Sequence, residues 1–227
     1  MARLLIHVEG QTEETFVNEV LRPHLIGVGF DDVSARMLGN ARARSRRGGI
    51  IGWNAAHADI ARHLQGDHGA YSTTLVDFYG LPSGGANRWP GRDTCPNADP
   101  IHVHHHLQSE ITRDFTGRYG PIAQRFVPFV AFHEFEGLLF SNPTAMAEGM
   151  YCGHLATDFH NIRNGFPSPE HINDSPLTAP SKRIMALFPG YQKPLHGVLA
   201  ALQVTLPGMR GACPAFDSWL QQLEALP

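Results

Sequence analysis

Three short runs of β-forming residues, separated by stretches with helical spacing, constrain the fold of this chain most strongly. The runs are RLLIHVE at residues 3–9, YSTTLVD at residues 71–77, and the start of RFVPFVAFHEFEGLLF at residues 126–132. Between them lie GWNAAHADIARHLQG and HHLQSEITRDFTGRY, in which apolar residues recur at helical spacing. Strands that alternate with helices are typical of βαβ units. We therefore predict an α/β fold with a mostly parallel central sheet flanked by helices.

Each of the three strand-like runs ends in or near an acidic residue. Glu9 ends the first run, Asp77 ends the second, and Glu134 and Glu136 follow the third. Ligands of open α/β sheets bind beyond the carboxyl ends of the strands, so we expect Glu9, Asp77 and Glu134 to converge at one edge. If the chain stays extended after the third strand, alternation puts Glu134 and Glu136 on the same side.

The stretch VEGQTEE joins the first strand to a helix that we expect to run up to Pro23. Gly10 permits a tight turn, and Thr12 is a suitable N-cap residue. The N-terminus of such a helix usually attracts phosphate, which a carboxylate at that place would repel. Glu13 and Glu14 also interact favourably with the helix dipole without any further function.

Several carboxylates in one cleft repel each other unless a positive charge lies between them. Oxygen ligands with water are typical of Mg²⁺ or Mn²⁺, and such an ion can in turn bind a phosphodiester. We therefore predict a metal site with five candidate ligands. These are Glu9, Glu13, Asp77, Glu134 and Glu136. The alternative is that each acid caps or tethers a neighbouring loop.

The basic residues are almost all arginine, and five arginines fall within residues 36–47. A local basic patch can contact a polyanion although the net charge of the chain is −3. The candidate nucleic-acid contacts are Arg42, Arg44, Arg46 and Arg47. A solvated loop is the alternative.

The chain has only two lysines, Lys182 and Lys193, and they lie close together in the sequence.

Length and hydrophobicity allow one large domain or one domain with a small appendage, since the chain has 227 residues of which 42% are hydrophobic. We divide it into an α/β core at residues 1–150 and a C-terminal part at residues 151–227. The latter begins with a loop-rich segment up to Pro180 and continues as helices that pack on the core. The two parts are expected to form one structural unit.

The composition excludes several classes of protein. No signal peptide or membrane span is indicated, so we expect a cytoplasmic location without membrane contact. Three cysteines, Cys95, Cys152 and Cys213, have no CxxC spacing, which argues against a disulfide framework or a cysteine zinc site.

The histidines form one cluster, IHVHHHLQ, at His102, His104, His105 and His106. Neighbouring histidines on a helix point in different directions, so we interpret the cluster as a polar surface turn, with a zinc site as the alternative.

His133 is different because it lies beside Glu134 at the expected active edge. It is a candidate ligand, proton shuttle or hydrogen-bonded neighbour.

Several motifs together resemble an uncharacterised bacterial family, of the DUF4276 type, with a Toprim-like fold. The motifs are EGQTE, LVDFYGLP, HEFEGLLFS, INDSPLTAPSKRI, GYQKPLHGVL and CPAFDSWLQQLEAL. They cover nearly the whole chain. Toprim domains occur in topoisomerases, primases and the overcoming-lysogenization-defect nucleases. The resemblance implies metal-dependent phosphodiester chemistry, and it implies an ATPase partner of the AAA or structural-maintenance-of-chromosomes (SMC) type in phage defence.

The resemblance also implies roles for individual residues. Glu9 is similar to the first Toprim glutamate, Glu13 to the acid four residues later in the nucleases, and Asp77 to the first aspartate of the DxD motif. The second aspartate would fall at Tyr79. Either Glu134 or Glu136 replaces it, or the site holds one metal ion, or catalysis is lost. Lys182 is similar to the lysine that steadies charge near the scissile phosphate, with Lys193 as the second candidate.

The sequence therefore predicts a Mg²⁺- or Mn²⁺-dependent nuclease or related phosphoryl-transfer enzyme with Glu9, Glu13, Asp77 and Lys182 as catalytic residues. The alternative is a non-catalytic Toprim-like module that binds an ATPase and a nucleic acid or nucleotide. Because Tyr79 replaces an acid, the alternative stays open. The sequence does not distinguish DNA from RNA as the substrate.

Overall fold

The computed structural model describes residues 1–39, 51–173 and 177–227. The strands in these ranges are β1 (Arg3–Val8), β2 (Asp32–Met37), β3 (Ala70–Asp77), β4 (Phe126–Val127) and β5 (Val130–Ala131). The α-helices are α1 (Gln11–Phe16), α2 (Arg22–Gly27), α3 (Trp53–Gly66), α4 (Pro100–Tyr119), α5 (Pro143–Gly149), α6 (Ala156–Asn164), α7 (Pro180–Leu187), α8 (Val198–Val204), α9 (Leu206–Ala212) and α10 (Pro214–Glu224). No helix within the described ranges is long and apolar enough to cross a membrane.

The strands form one parallel sheet in the order β2-β1-β3-β4, and β5 also pairs with β3. This confirms the predicted α/β fold with a parallel central sheet. β2 has no counterpart among the predicted strands. Its side chains are half-buried or exposed except for Val33, so the segment lacks the apolar run that identified β1 and β3.

The third predicted strand is divided into β4 and β5 by Pro128. Proline has no N–H group to donate to a neighbouring strand, so it interrupts the ladder. The side chain of Thr74 fills the gap. Its hydroxyl donates to the carbonyl of Phe129 at 2.8 Å and accepts the N–H of Phe129 at 2.9 Å. A polar side chain thereby continues the pairing between β3 and the interrupted strand.

The sheet lies between two apolar layers. One face, which includes Leu4, Ile6 and Val8, packs against α1, α2 and the helices from α5 onwards. The other face packs against α3 and α4. Trp219 of α10 joins the C-terminal helices to the sheet, because its ring stacks on Phe129 at 4.4 Å and its N–H donates to the Thr73 hydroxyl at 2.9 Å. The predicted helical C-terminal part is confirmed, whereas the division at residue 150 stays a prediction.

The first helix differs from the prediction at both ends. Its N-cap is Gly10, with no side-chain cap bond, and Thr12 is buried inside α1. The chain also remains helical beyond Pro23, through a π-helical segment, Val17–Leu21, into α2, which ends at Gly27. Pro23 lies directly after the π-helical segment, in the first turn of α2.

Two further segments differ from the predicted conformation. The HEFEGLLFS segment does not stay extended, because Phe135–Ser141 forms a 3₁₀-helix. The extended conformation that would have put Glu134 and Glu136 on the same side is therefore not present. The loop-rich segment at residues 151–180 contains α6, whose Phe159 is fully buried.

The burial of His104 in α4 predicts that the folding stability of the protein decreases in acid. Its ring is buried against Phe129, and its Nε2 has no hydrogen-bond partner among the described residues. Burial, with a smaller effect of His105, lowers the pKa of His104 from 6.5 to about 4. The unfolded chain therefore binds a proton near pH 6.5 that the folded chain accepts only near pH 4, and folding stability falls as the pH falls between these values.

The His104→Leu variant is expected to lose this acid sensitivity. A pKa shift of this size corresponds to about 3 kcal/mol, so the variant should gain up to that much over the wild type towards pH 4. Urea unfolding across this pH range measures the effect. His102→Leu, which changes an exposed residue of the same helix, is the control. Equal pH dependence in the two variants would contradict the prediction.

Candidate active site at the carboxyl end of the sheet

Parallel pairing of β1 with β3 brings Glu9 and Asp77 together. Val8 is paired with Leu75, so the residues that follow both strands leave the sheet side by side. Oε2 of Glu9 lies 3.4 Å from the backbone N–H of Asp77, which donates to it. Gly80 permits this approach, since a Cβ atom there would lie 2.9 Å from Oε2 of Glu9.

Glu13 joins these acids from the first turn of α1. It is buried, with 3% of its surface exposed. Gly10 leaves room for it, because a Cβ atom on Gly10 would come within 3.3 Å of Oε2 of Glu13. The turn between β1 and α1 therefore directs a second carboxylate towards the end of the sheet.

Asp77 is oriented by the segment that follows β5. Its Oδ1 accepts the backbone N–H of Phe135 at 2.9 Å, and its side chain is 11% exposed. This hydrogen bond connects the end of β3 to the start of the 3₁₀-helix Phe135–Ser141. The other oxygen of Asp77, Oδ2, lies 3.7 Å from Nζ of Lys193.

Glu134 and Glu136 have separate environments. The carboxylate of Glu134 accepts the backbone N–H and the hydroxyl of Ser181 at 2.9 and 3.0 Å, so it caps the first turn of α7. Glu136 is fully buried, and Oε1 accepts the hydroxyl of Tyr191 at 3.2 Å. Glu136 belongs to the acidic cluster, and Glu134 lies at its margin.

Lys193 lies among three of these acids. Its Nζ is 3.1 Å from Oε2 of Glu136, 3.6 Å from Oε1 of Glu13 and 3.7 Å from Oδ2 of Asp77. The contact with Glu136 is the shortest of the three, and it pairs the buried Oε2 of Glu136 with the ammonium group. Lys193 begins a π-helical segment, Lys193–Gly197, and such segments are frequent at functional sites.

Lys182, the first candidate from the sequence, is exposed on α7. The described ion pairs with the acids come instead from Lys193, the second candidate. Local sequence does not distinguish the two lysines, because each lies near a proline and its distance from the sheet depends on packing.

Burial raises the pKa of three carboxyl groups in the cluster. The pKa of Asp77 lies well above its usual range, mainly because of burial, and Lys193 opposes this rise. Burial and the charge of Glu13 raise the pKa of Glu9, and burial raises the pKa of Glu136. Burial lowers the pKa of Lys193, but the surrounding carboxylates outweigh this effect and raise it overall.

The cluster carries more negative than positive charge. Four carboxylates, from Glu9, Glu13, Asp77 and Glu136, surround one ammonium group. Carboxylate oxygens in excess over the single lysine fit the chemistry of a hard divalent cation. Among the described residues, however, no group of three or more His, Cys, Asp or Glu side chains is arranged to hold a metal ion. Metal binding therefore requires these side chains to move and stays a prediction.

The members of the cluster differ in exposure. The side chain of Lys193 is 36% exposed, whereas those of Asp77, Glu13 and Glu136 are 11%, 4% and 0% exposed. Glu9 is half-buried. Lys193 and Glu9 are therefore the members that a ligand can reach from solvent.

His133 and Tyr79 lie next to the cluster and stack on each other. Their rings are 5.4 Å apart with an interplanar angle of 29°. His133 has a positive φ of 75°, which is unusual for a residue with a side chain, and its Nδ1 lies 3.2 Å from Nδ2 of Asn173. The position at which the resemblance implies an acid thus carries an aromatic ring.

The other predicted site residues fall into two groups. Arg42, Arg44, Arg46 and Arg47 are outside the described residues. Of the histidine cluster, His102 and His105 are exposed on α4, whereas His104 is buried, so the predicted surface turn is a helix with one inward-facing histidine.

The fold and the site define an α/β protein with an acidic cluster at the carboxyl end of a parallel sheet. The chain belongs to the DUF4276 family, which is described as a domain of unknown function, and the family model matches residues 8–224. No curated protein and no solved structure matches the chain significantly. The predicted family is confirmed, whereas its relationship to Toprim domains stays a prediction.

Removal of the Lys193 charge is expected to destabilise the protein. Lys193→Met leaves buried carboxylates without their counter-ion, and we expect a loss of about 2 kcal/mol near neutral pH, less than for a fully buried pair because Lys193 is 36% exposed. The loss should shrink in acid as the carboxylates take up protons. Urea unfolding at about pH 8 and about pH 5 measures it. Lys182→Met, at an exposed lysine, is the matched control, and an equal effect of both changes would contradict the assignment.

Proposed function

We propose that this protein is a metal-dependent nuclease or related phosphoryl-transfer enzyme of the Toprim type. The observation that carries the proposal is the convergence of Glu9, Asp77, Glu13 and Glu136 around Lys193 at the carboxyl end of the sheet. A structural core has no need for so many buried carboxylates beside one lysine. A cation that binds there relieves their repulsion and attracts a phosphodiester.

Glu9, Glu13 and Asp77 are the proposed ligands of Mg²⁺ or Mn²⁺, and Glu136 is the acid that replaces the missing DxD aspartate. When bound, the ion activates water and stabilises the leaving oxygen. The N–H group of Phe135 fixes Asp77, and the hydroxyl of Tyr191 fixes Glu136. These contacts keep the donor oxygens directed at the cluster before a ligand arrives.

Lys193 is the proposed electrostatic catalyst in this site. Its side chain is more exposed than those of Glu13, Asp77 and Glu136, so its ammonium group could contact a phosphate oxygen while the carboxylates hold the cation. We assign to Lys193 the role that the sequence resemblance implied for Lys182. A role of Lys182 in binding the substrate further from the cluster remains part of the proposal.

Cleavage of plasmid DNA and of total RNA with Mg²⁺ or Mn²⁺ tests the proposal. Glu9→Gln and Asp77→Asn remove charge without changing size, and we expect each to reduce the cleavage rate by at least about 100-fold while the fold is retained. Glu19→Gln, at an exposed acid that follows α1, is the control. Equal loss in Glu19→Gln would overturn the assignment of the site.

Metal binding can be measured separately from cleavage, by the melting temperature of the protein. Because a ligand that binds only the folded state raises the melting temperature, Mn²⁺ is expected to raise that of the wild type and to leave that of Asp77→Asn unchanged. An equal shift in both proteins would place the ion elsewhere.

A second candidate function is a non-catalytic module that binds an AAA or SMC-like ATPase together with a nucleic acid or nucleotide. Two observations favour it: Tyr79 occupies the position of the second aspartate, and the described acids are not arranged for a metal ion. This function predicts no cleavage with or without the ATPase, and co-purification with the ATPase that Glu9→Gln does not change. Either function is compatible with a role in phage defence in the cytoplasm.

A further inference from the structure

A cavity of about 450 Å³ lies beside the acidic cluster and is not used by the proposed chemistry. Phe78, Phe132, Arg92 and Cys95 line it. Its volume lies within the range of small-molecule sites. Phe78 directly follows Asp77, and Phe132 precedes Glu134 by two residues, so the same strand ends that position the acids also position the walls of the cavity.

Aromatic rings and a cation face each other in this cavity. The rings of Phe78 and Phe132 are 5.3 Å apart, and the guanidinium of Arg92 lies 4.0 Å above the ring of Phe78. Nε of Arg92 is buried and has no hydrogen-bond partner among the described residues. Arg92 also lines the cavity, so its guanidinium is the donor group that a ligand with an acceptor would meet there.

The loop that carries Arg92 is held in place by contacts outside the cavity. Trp89 is fully buried, and its ring N–H donates to the carbonyl of Ile51 at 3.0 Å. Both carboxylate oxygens of Asp93 accept the N–H of Gly84, at 3.1 and 3.2 Å. The carboxylate of Asp93 therefore binds the backbone of its own loop. The loop holds Arg92 in place before a ligand binds.

We propose that this cavity binds an unpaired nucleobase next to the phosphodiester that reaches the acidic cluster. A base has a flat π face that stacks on phenylalanine, and it has ring and carbonyl acceptors that a guanidinium can reach. The inference rests on the proposed function and specifies its substrate as a single-stranded or locally unpaired nucleic acid. DNA and RNA share this chemistry.

Binding of fluorescein-labelled oligo-dT and oligo-U of about ten nucleotides, measured by fluorescence anisotropy in EDTA, tests the proposal without cleavage. Phe132→Leu keeps apolar bulk but removes the π face, and Arg92→Gln removes the guanidinium. Each is expected to weaken binding by at least about 5-fold. Arg88→Gln removes an equal charge from an exposed position of the same loop and is expected to leave binding within about 2-fold of the wild type. The probe that binds more tightly shows whether DNA or RNA is the preferred ligand of the cavity.

Protection of Cys95 gives a readout that does not depend on the folding of a variant. Cys95 is half-buried in the cavity, whereas Cys152 and Cys213 are buried, so maleimide should modify Cys95 first. Saturating oligonucleotide is expected to slow this modification of the wild type at least about 5-fold. No binding by the wild type, equal affinity of all three variants, or an unchanged rate at Cys95 would overturn the proposal.

The two proposals fail separately in these experiments. Binding that depends on Phe132 and Arg92 without any metal-dependent cleavage would reject the nuclease and retain the base site. Cleavage lost in Glu9→Gln together with full binding by Phe132→Leu and Arg92→Gln would retain the nuclease and reject the base site.

Discussion

The ion-pair cluster around Lys193 connects the parts of the molecule on which the candidate site depends. Its members come from the turn after β1, the end of β3, the 3₁₀-helix Phe135–Ser141 and the π-helical segment Lys193–Gly197. These segments are far apart in the sequence. Because the carboxylates are buried, they can remain ionised only while a positive charge stays among them. The position of Lys193 therefore couples the C-terminal helices to the sheet.

Backbone groups hold most of the acids in fixed positions. Asp77 accepts the N–H of Phe135, Glu134 accepts the N–H of Ser181, and Glu9 accepts the N–H of Asp77. Such bonds lower the cost of burying a carboxylate, but they do not balance its charge. Burial is the main reason why the pKa values of Glu9, Asp77 and Glu136 are raised, and repulsion by neighbouring acids adds to it. This repulsion is the physical reason to propose a cation site here.

The end of the sheet combines two chemical environments. Acids lie on one side, and aromatic rings with Arg92 lie on the other. The stacked pair of Tyr79 and His133 belongs to the aromatic side, although the resemblance implies an acid at position 79. Position 79 therefore carries a ring that contacts another ring. A site that holds both a phosphodiester and its base would use both environments.

Much of this architecture follows from local patterns. The apolar runs of β1 and β3 and the glycine turn after β1 predicted a parallel sheet with Glu9 and Asp77 at one edge, because parallel strands end on the same side. β2 was missed because an edge strand of mostly half-buried residues has no distinctive pattern. The N-cap at Gly10 and the continuation of the helical chain past Pro23 were missed because both depend on packing of the helix against the sheet.

The sequence by itself determined the fold class, the family and the acids that follow the strands, because these depend on the order of residues along the chain. Only the tertiary structure decided which lysine approaches the acids, which of Glu134 and Glu136 joins the cluster, and that Arg92 lies over Phe78. These outcomes depend on contacts between segments as distant as residues 13 and 193. Such contacts arise from packing of whole helices on the sheet, which no short stretch of sequence specifies.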